Sequence, residues 1–284
     1  MKKERADKTG RKEQRKEKRK KITAYFISDA REHKVMTTVY LILRLVIVAI
    51  LVFAIVRGKY ENAMTCLLTL LLLMIPTFVE RKLRIDLPNV LEVIMLLFVF
   101  SANILGEIGA FYEKIPFLDT LLHTLNGFIC AGVGFGLTDI LNRSEKIKFN
   151  LSPVFVCMFS FCFSMTAGTI WEFFEFGMDF FFGKDMQKDT IITAINSTLL
   201  SGDNSNMITH ISGIEDTLVN GESLGINGYL DIGIIDTMKD MFVNFIGAVV
   251  FNVAGFFYLK HRGKKAGFIT NFIPAKINTK RHKE

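Results

Sequence analysis

The chain has 284 residues, half of them apolar, with 27 Phe and only 5 Pro. Its apolar residues are gathered into blocks long enough to cross a hydrocarbon core, a pattern that excludes an ordinary water-soluble globule. The formal charge of +7 comes from the two ends. Beside membrane helices such ends are expected to stay cytoplasmic and attract anionic lipid heads, a reading favoured over nucleic-acid binding.

Residues 1–34, dominated by Lys and Arg, read as a basic cytoplasmic segment, too long and too charged to be a cleavable signal peptide. Residues 35–259 read as the membrane bundle. The first span is expected over Val35–Val56, with Arg44 snorkelling back toward the inner interface. A short turn leads to a second span over Ala63–Val79, and the connector from Glu80 to Asp86 is basic. Pro88 opens a third span that runs to Ile108, since a proline at a helix start loses no hydrogen bond.

The fourth span covers Leu118–Leu141. Its Gly127, Gly132, Gly134 and Gly136 would let a neighbouring helix approach closely; the run Gly132–Gly136 lies inside the span and is packing rather than a phosphate loop. A basic connector, 142–150, precedes the fifth span, Pro153–Phe182. Residues 183–235 form a long loop rich in Asp, Asn, Ser and Gly. Its Ile191–Leu200 portion suits a short interfacial helix, and Gly225–Ile235 suits strand pairing. The sixth span covers Asp236–Leu259, and residues 260–284 read as a basic cytoplasmic tail. The four cysteines (Cys66, Cys130, Cys157 and Cys162) fall inside the apolar blocks without CxxC spacing, so they read as small buried fillers.

The distribution of Lys and Arg gives one consistent topology: an all-α polytopic bundle of about six transmembrane helices in the cell membrane. Both termini are cytoplasmic and the 183–235 loop lies outside. Against that frame the polar residues inside the spans stand out. Glu172, Glu175 and Asp179 share one face of the fifth helix. With Asp119, Asp179 and Asp236 marking outer ends, one turn inward, about 6 Å, lie His123, Glu175 and Asp240. A further turn inward lie Asn126, Glu172 and Asn244. Asn103 and Glu107 of the third span are candidates for a fourth wall.

Ionisable groups at membrane depth are costly and persist mainly where they line a pocket or polar path. The alternative is that these groups only hold helices together, although such polar glue usually employs Ser, Thr, Asn and Gln rather than several carboxylates. His123, Glu172, Glu175 and Asp240 are the candidate catalytic residues. Asp119, His123, Glu175, Asp179, Asp236 and Asp240 are the candidate ligands of a divalent metal, whose identity spacing does not choose. Asn103, Glu107, Asn126 and Asn244 would support them. Lys239 is the obvious internal counter-ion, Trp171 reads as an interface anchor, and Asp139 reads as a helix-terminal residue.

Four segments carry a family resemblance: Glu107–Tyr112 with Pro116, Asp119–His123 with Gly127, Ile170–Glu175, and Asp236–Met241 with Gly247. Together they resemble the YjdF-like family of bacterial inner-membrane proteins, which looks related to the VanZ-like group. The pattern Asp240-x3-Asn244-x2-Gly247 is similar to the closing signature of the latter. Gly106 and Phe111 stand where some family members carry histidine. The resemblance covers about residues 90–258 and implies a membrane fold and a cell-envelope role.

Three functions are open to this sequence: an enzyme acting on a lipid or lipid-linked substrate in the outer leaflet, a cation or proton transporter, and a non-catalytic scaffold or sensor. A transporter needs a polar path to the other side, and the inner halves of the spans are almost wholly apolar.

Overall fold

The computed structural model describes residues 34–83, 85–115, 117–142, 151–202, 206–261 and 268–276. The basic N-terminal segment, the connector from Arg143 to Asn150 and most of the basic tail lie outside the described residues. Six helical stretches among the described residues are long and apolar enough to cross a membrane: Met36–Val56, Tyr60–Glu80, Asn89–Ile108, Leu118–Asn142, Pro153–Phe182 and Ile234–Lys260. The protein is therefore a polytopic helical membrane protein, as its apolar blocks predict. The chain folds as two compact units, one of residues up to Phe111 together with Ala275 onward, the other of Tyr112–Pro274.

In the first unit, helix α1 (Lys34–Val56) packs with α2 (Tyr60–Leu72), and α3 (Ile75–Leu83) follows. The expected second span is thus interrupted. Pro76 has no N–H to donate, and its ring would collide with the Leu72 carbonyl in a continuous helix. Strand β1 (Ile85–Asp86) pairs antiparallel with Ala275–Lys276. Helix α4 (Asn89–Phe100) starts after Pro88 and continues as a wider π-helical stretch, Ser101–Ile108. Leu43, Ile47, Cys66, Leu73, Leu96 and Ile104 form the buried centre of this unit. Arg44 stacks its guanidinium 4.2 Å over the Tyr40 ring, one turn back along α1.

The second unit is built on α5 (Leu118–Asn142), α6 (Pro153–Phe182) and α7 (Ile234–Lys260), each packed on the other two. The end of α5 is tied to the approach to α6 by a two-way clamp. The Leu151 amide donates to Asn142 Oδ1 (2.8 Å), and Asn142 Nδ2 donates to the Leu151 carbonyl (3.2 Å). Ser152 then caps α6 by accepting from the Phe155 amide, Pro153 occupies the first turn, and Gly183 in the left-handed region (φ 61°) ends the helix.

Glycines decide how closely these helices cross. A Cβ on Gly127 would sit 2.0 Å from the Asn244 carbonyl oxygen, and one on Gly247 would sit 2.0 Å from the Thr124 carbonyl oxygen. The α5 and α7 backbones therefore touch at this level, which only glycine permits. Ser160 and Ser164 on α6 donate to the Ala131 and Gly127 carbonyls at 2.7 and 2.8 Å, tying the third helix to the same contact.

The other expected close approaches have different partners. Gly134 faces the Phe163 ring of α6, whereas Gly132 and Gly136 admit the Phe272 carbonyl and the Pro274 ring. These last two belong to a segment inside the stretch read from sequence as a plain basic tail. A 3₁₀ turn, Phe268–Phe272, packs against α5 and α7, and the Phe272 ring meets Phe128 edge-on at 5.2 Å. Four large apolar residues with almost no charge between them (Phe268, Ile269, Phe272 and Ile273) are the signal that gives this segment away.

The loop after α6 departs from the sequence reading in one respect. No interfacial helix forms over Ile191–Leu200. Instead β2 (Ile191–Ile192) pairs with Tyr229–Leu230, and β3 (Ala194–Ser197) pairs with β4 (Thr209–Ser212). Branched Ile side chains favour the extended chain, and Asn196 and Ser197 compete with helical hydrogen bonds. The expected strand pairing around Gly225–Ile235 is present at Tyr229–Leu230, and α7 begins two residues earlier than expected, at Ile234. Cys162 is an exposed thiol rather than a buried filler.

The helix contact yields a stability prediction. Gly127→Ala is expected to lower unfolding stability by about 1–3 kcal/mol through overpacking. Gly177→Ala, where the added carbon meets only Phe181 at 4.0 Å, should not lower it and should raise it by up to about 1 kcal/mol through alanine's better helix propensity. Unfolding of the two variants in the same detergent measures the difference.

Candidate functional site

The site is assembled by the three helices of the second unit at the end next to the strand-bearing loop. Asp119 and His123 lie one turn apart near the start of α5, Asp236 and Asp240 one turn apart near the start of α7, and Glu172 and Glu175 approach from the late part of α6. The alternation of helix direction is what brings two helix starts and one helix end to a common level.

His123 is the centre. Its Nε2 lies 3.5 Å from Asp119 Oδ1 and 3.5 Å from Asp240 Oδ2, and its Nδ1 lies 3.9 Å from Glu172 Oε1. All three separations exceed a good N–H···O bond, so the imidazole sits among the carboxylates without being locked to any of them. Its side chain is 13% exposed and that of Asp240 is 2% exposed. Asp240 Oδ1 and Glu172 Oε2 are buried without a hydrogen-bond partner among the described residues.

Lys239 stands at the rim, nearly half exposed, 3.4 Å from Asp119 Oδ2 and 3.8 Å from Asp236 Oδ1. Below the histidine, Asn126 donates to Asn244 Oδ1 at 2.9 Å, and Asn244 Nδ2 points at the Met165 sulfur. That amide pair occupies the level of the glycine contact, directly under the cluster.

The remaining sequence candidates are distributed differently. Glu175 is buried and accepts from the Trp171 indole N–H at 2.8 Å, so the tryptophan read as an interface anchor holds a carboxylate. Both oxygens of Asp179 accept loop amides, Oδ1 from Met186 (2.6 Å) and Oδ2 from Gln187 (2.8 Å). Asp236 Oδ2 accepts from the Lys188 amide at 2.9 Å. Asp179 and Asp236 therefore fasten the loop to α6 and α7. Asn103 and Glu107 belong to the first unit, where Asn103 Nδ2 donates to the Val99 carbonyl. Asp139, in the last turn of α5, is buried.

Some contributors were not legible beforehand. Gln187 Nε2 donates to Thr237 Oγ1 at 2.5 Å, and the Thr237 hydroxyl faces Glu172. Asp231 is the other, and it organises the return of the loop. Its Oδ1 accepts from the amides of Thr190 (2.6 Å) and Gly233 (3.2 Å), and its Oδ2 from that of Ile235 (2.8 Å). Neither its bond to the second residue of α7 nor its reach back to Thr190 follows a capping pattern readable from spacing alone.

The family model described as "Predicted membrane protein (DUF2238)" matches residues 39–261. The chain belongs to that family. The matched stretch contains all six candidate spans except for the first three residues of one, and it contains every residue around His123. An uncharacterized protein of Thermotoga maritima is 28% identical over 128 residues, which are 45% of this chain and 64% of the relative. The chain thus spans just under two thirds of that relative's length. No solved structure matches.

The Asp231 anchor leads to a prediction of pH dependence in the loop. Burial acts to raise the Asp231 carboxyl, but the Thr190, Ile235 and Gly233 amides outweigh it and hold it below the usual aspartate value. A carboxylate depressed on folding contributes stability that is complete above its unfolded value, near 3.9, and is lost as pH falls through the lower folded value. Hydrogen exchange at Thr190 and Ile235, corrected for the intrinsic rate, should therefore stay protected down to about pH 4 and open below it. In Asp231→Asn the same amides should exchange faster at neutral pH, with no such pH step.

Proposed function

We propose that the protein is a cell-membrane enzyme that transfers or hydrolyses the head group of a lipid or lipid-linked substrate. The cluster would lie in the outer leaflet, with both chain ends cytoplasmic. The observation that carries this reading is a single, partly exposed imidazole standing 3.5–3.9 Å from carboxylates of three different helices, with two of their oxygens unpaired. A purely structural cluster at this depth would be expected to pair its buried oxygens.

His123 acts as the base that takes a proton from the attacking water or hydroxyl. Glu172 or Asp240, protonated beforehand, donates one to the leaving oxygen. The proton taken up by His123 returns to that carboxylate once the product departs, so the site is restored. Lys239 at the rim holds Asp119 and offers an ammonium to an anionic head group. Glu175, fixed by Trp171, stands on the same face of α6 as Glu172. Asn126 and Asn244 are positioning residues that hold α5 and α7 in register beneath the reacting groups.

The apolar outer face of α6 favours a lipid over a small soluble substrate. Phe173, Phe176 and Phe180 are exposed along α6 beside Glu172 and Glu175, and such a surface is at home against acyl chains. The resemblance to the YjdF-like and VanZ-like groups points the same way, toward the cell envelope.

His123→Ala, expressed to the wild-type level and eluting as a folded protein, should reduce turnover of an envelope lipid by about 10²-fold or more. Lipid profiles of cells carrying wild-type and variant chains measure it. Identical profiles in the two would count decisively against an acid–base role.

A further inference from the structure

We infer that Asp119, His123 and Asp240 form the binding site of a divalent transition-metal ion, of the zinc or manganese type. This rests on the reading of the cluster as the reacting site but changes the roles within it: with His123 and Asp240 held as ligands, which must be unprotonated to bind an ion, proton transfer would fall to Glu172. One oxygen from each aspartate and one ring nitrogen of His123 lie within 4.8 Å of one another. The two nitrogen–oxygen edges are each 3.5 Å. A tetrahedral ion with bonds of about 2.1 Å has ligand–ligand edges of about 3.4 Å, so both nitrogen–oxygen edges already stand at ligand spacing.

Acidic groups gathered together do not make a metal site, and two further observations point to a cation here. Asp240 Oδ1 and Glu172 Oε2 are orphaned acceptors on residues that are more than nine-tenths buried. Buried carboxylates with unfilled acceptor positions are what a bound cation satisfies. The second observation is directional. With Nε2 turned to the two aspartates, the other ring nitrogen, Nδ1, faces Glu172. A carboxylate behind the distal nitrogen is the usual support of a metal-bound histidine, fixing its tautomer and strengthening it as a donor.

Lys239 does not take this role. Its ammonium reaches the outer oxygen of Asp119, Oδ2, and Asp236, leaving Asp119 Oδ1 turned to His123 and Asp240 without a cation. The donor set of one imidazole and two carboxylates excludes an all-oxygen magnesium or calcium cage and suits a first-row ion. Three protein donors leave coordination positions for water and for an anionic substrate oxygen, the arrangement of reactive rather than structural sites.

The test uses the full chain in detergent, stripped with a chelator and then titrated with Zn2+ alone or Mn2+ alone. Elemental analysis should find about one ion retained per wild-type chain, with a raised unfolding temperature. Asp240→Asn and His123→Ala should lose retention by at least tenfold, and Glu172→Gln should weaken affinity by about tenfold through the supporting contact. Asp216→Asn, at an exposed position of the loop, should bind like wild type. Failure of the wild-type chain to retain either ion, or equal retention by wild type and Asp240→Asn, would overturn the inference. Loss of lipid turnover in His123→Ala beside a metal-free wild-type chain would sink the metal site and leave the acid–base reading standing.

Discussion

The second unit depends on the touching backbones of α5 and α7. At Gly127 the Asn244 carbonyl occupies the space of a side chain, and at Gly247 the Thr124 carbonyl does so. Thr124 adjoins His123, and Asn244 lies one turn beyond Asp240. The same backbone contact therefore sets the distance between the imidazole of one helix and the carboxylate of the other. Hydrophobic collapse cannot supply that precision inside a bilayer, where lipid is as apolar as the helix faces, so close packing and hydrogen bonds must supply it. The Asn126–Asn244 pair and the Ser160 and Ser164 bonds to α5 carbonyls are those hydrogen bonds.

Above this contact the chemistry of the residues changes with depth. Amides pair with amides at the level of Asn244. The next turn holds His123, Glu172 and Asp240, incompletely paired. At the rim Asp179, Asp236 and Asp231 bind loop amides, and Lys239 bridges Asp119 and Asp236. The best-satisfied polar groups thus lie above and below the least-satisfied ones. A layer of unmet acceptors held between rigid layers is a preorganised arrangement, since nothing needs to move before a cation or substrate oxygen is received. The loop contributes to that rigidity, because its two ends are fastened to α6 and α7 at the mouth of the cluster.

Most of the architecture was legible because bilayer thickness and helix rise fix both the length of a span and the depth of a residue within it. His123 and Asp240 are 117 positions apart, yet counting turns from Asp119 and Asp236 places them at one level. Counting turns gives depth but not the identity of a partner. It did not show that Asp179 accepts from Met186 and Gln187, or that Trp171 turns its N–H to Glu175, because those choices depend on rotamers and on the path of the loop. Residues 191–200 misled because a short apolar run fits a helix or a strand equally well, and its partner at Tyr229–Leu230 lies far along the chain. The tail misled for another reason: its charge count masked an apolar segment whose Phe272 carbonyl and Pro274 ring meet glycines of α5.

The convergence of His123 and Asp240 can be measured as an energy. In a double-mutant cycle on the chelator-treated chain, unfolding stability is compared for wild type, His123→Ala, Asp240→Asn and the double variant. Contacting side chains should show an interaction energy above about 0.5 kcal/mol, so the double variant should depart from the sum of the single changes. Changes that add within about 0.3 kcal/mol would contradict the account, because they would mean that the histidine and the aspartate do not share a site.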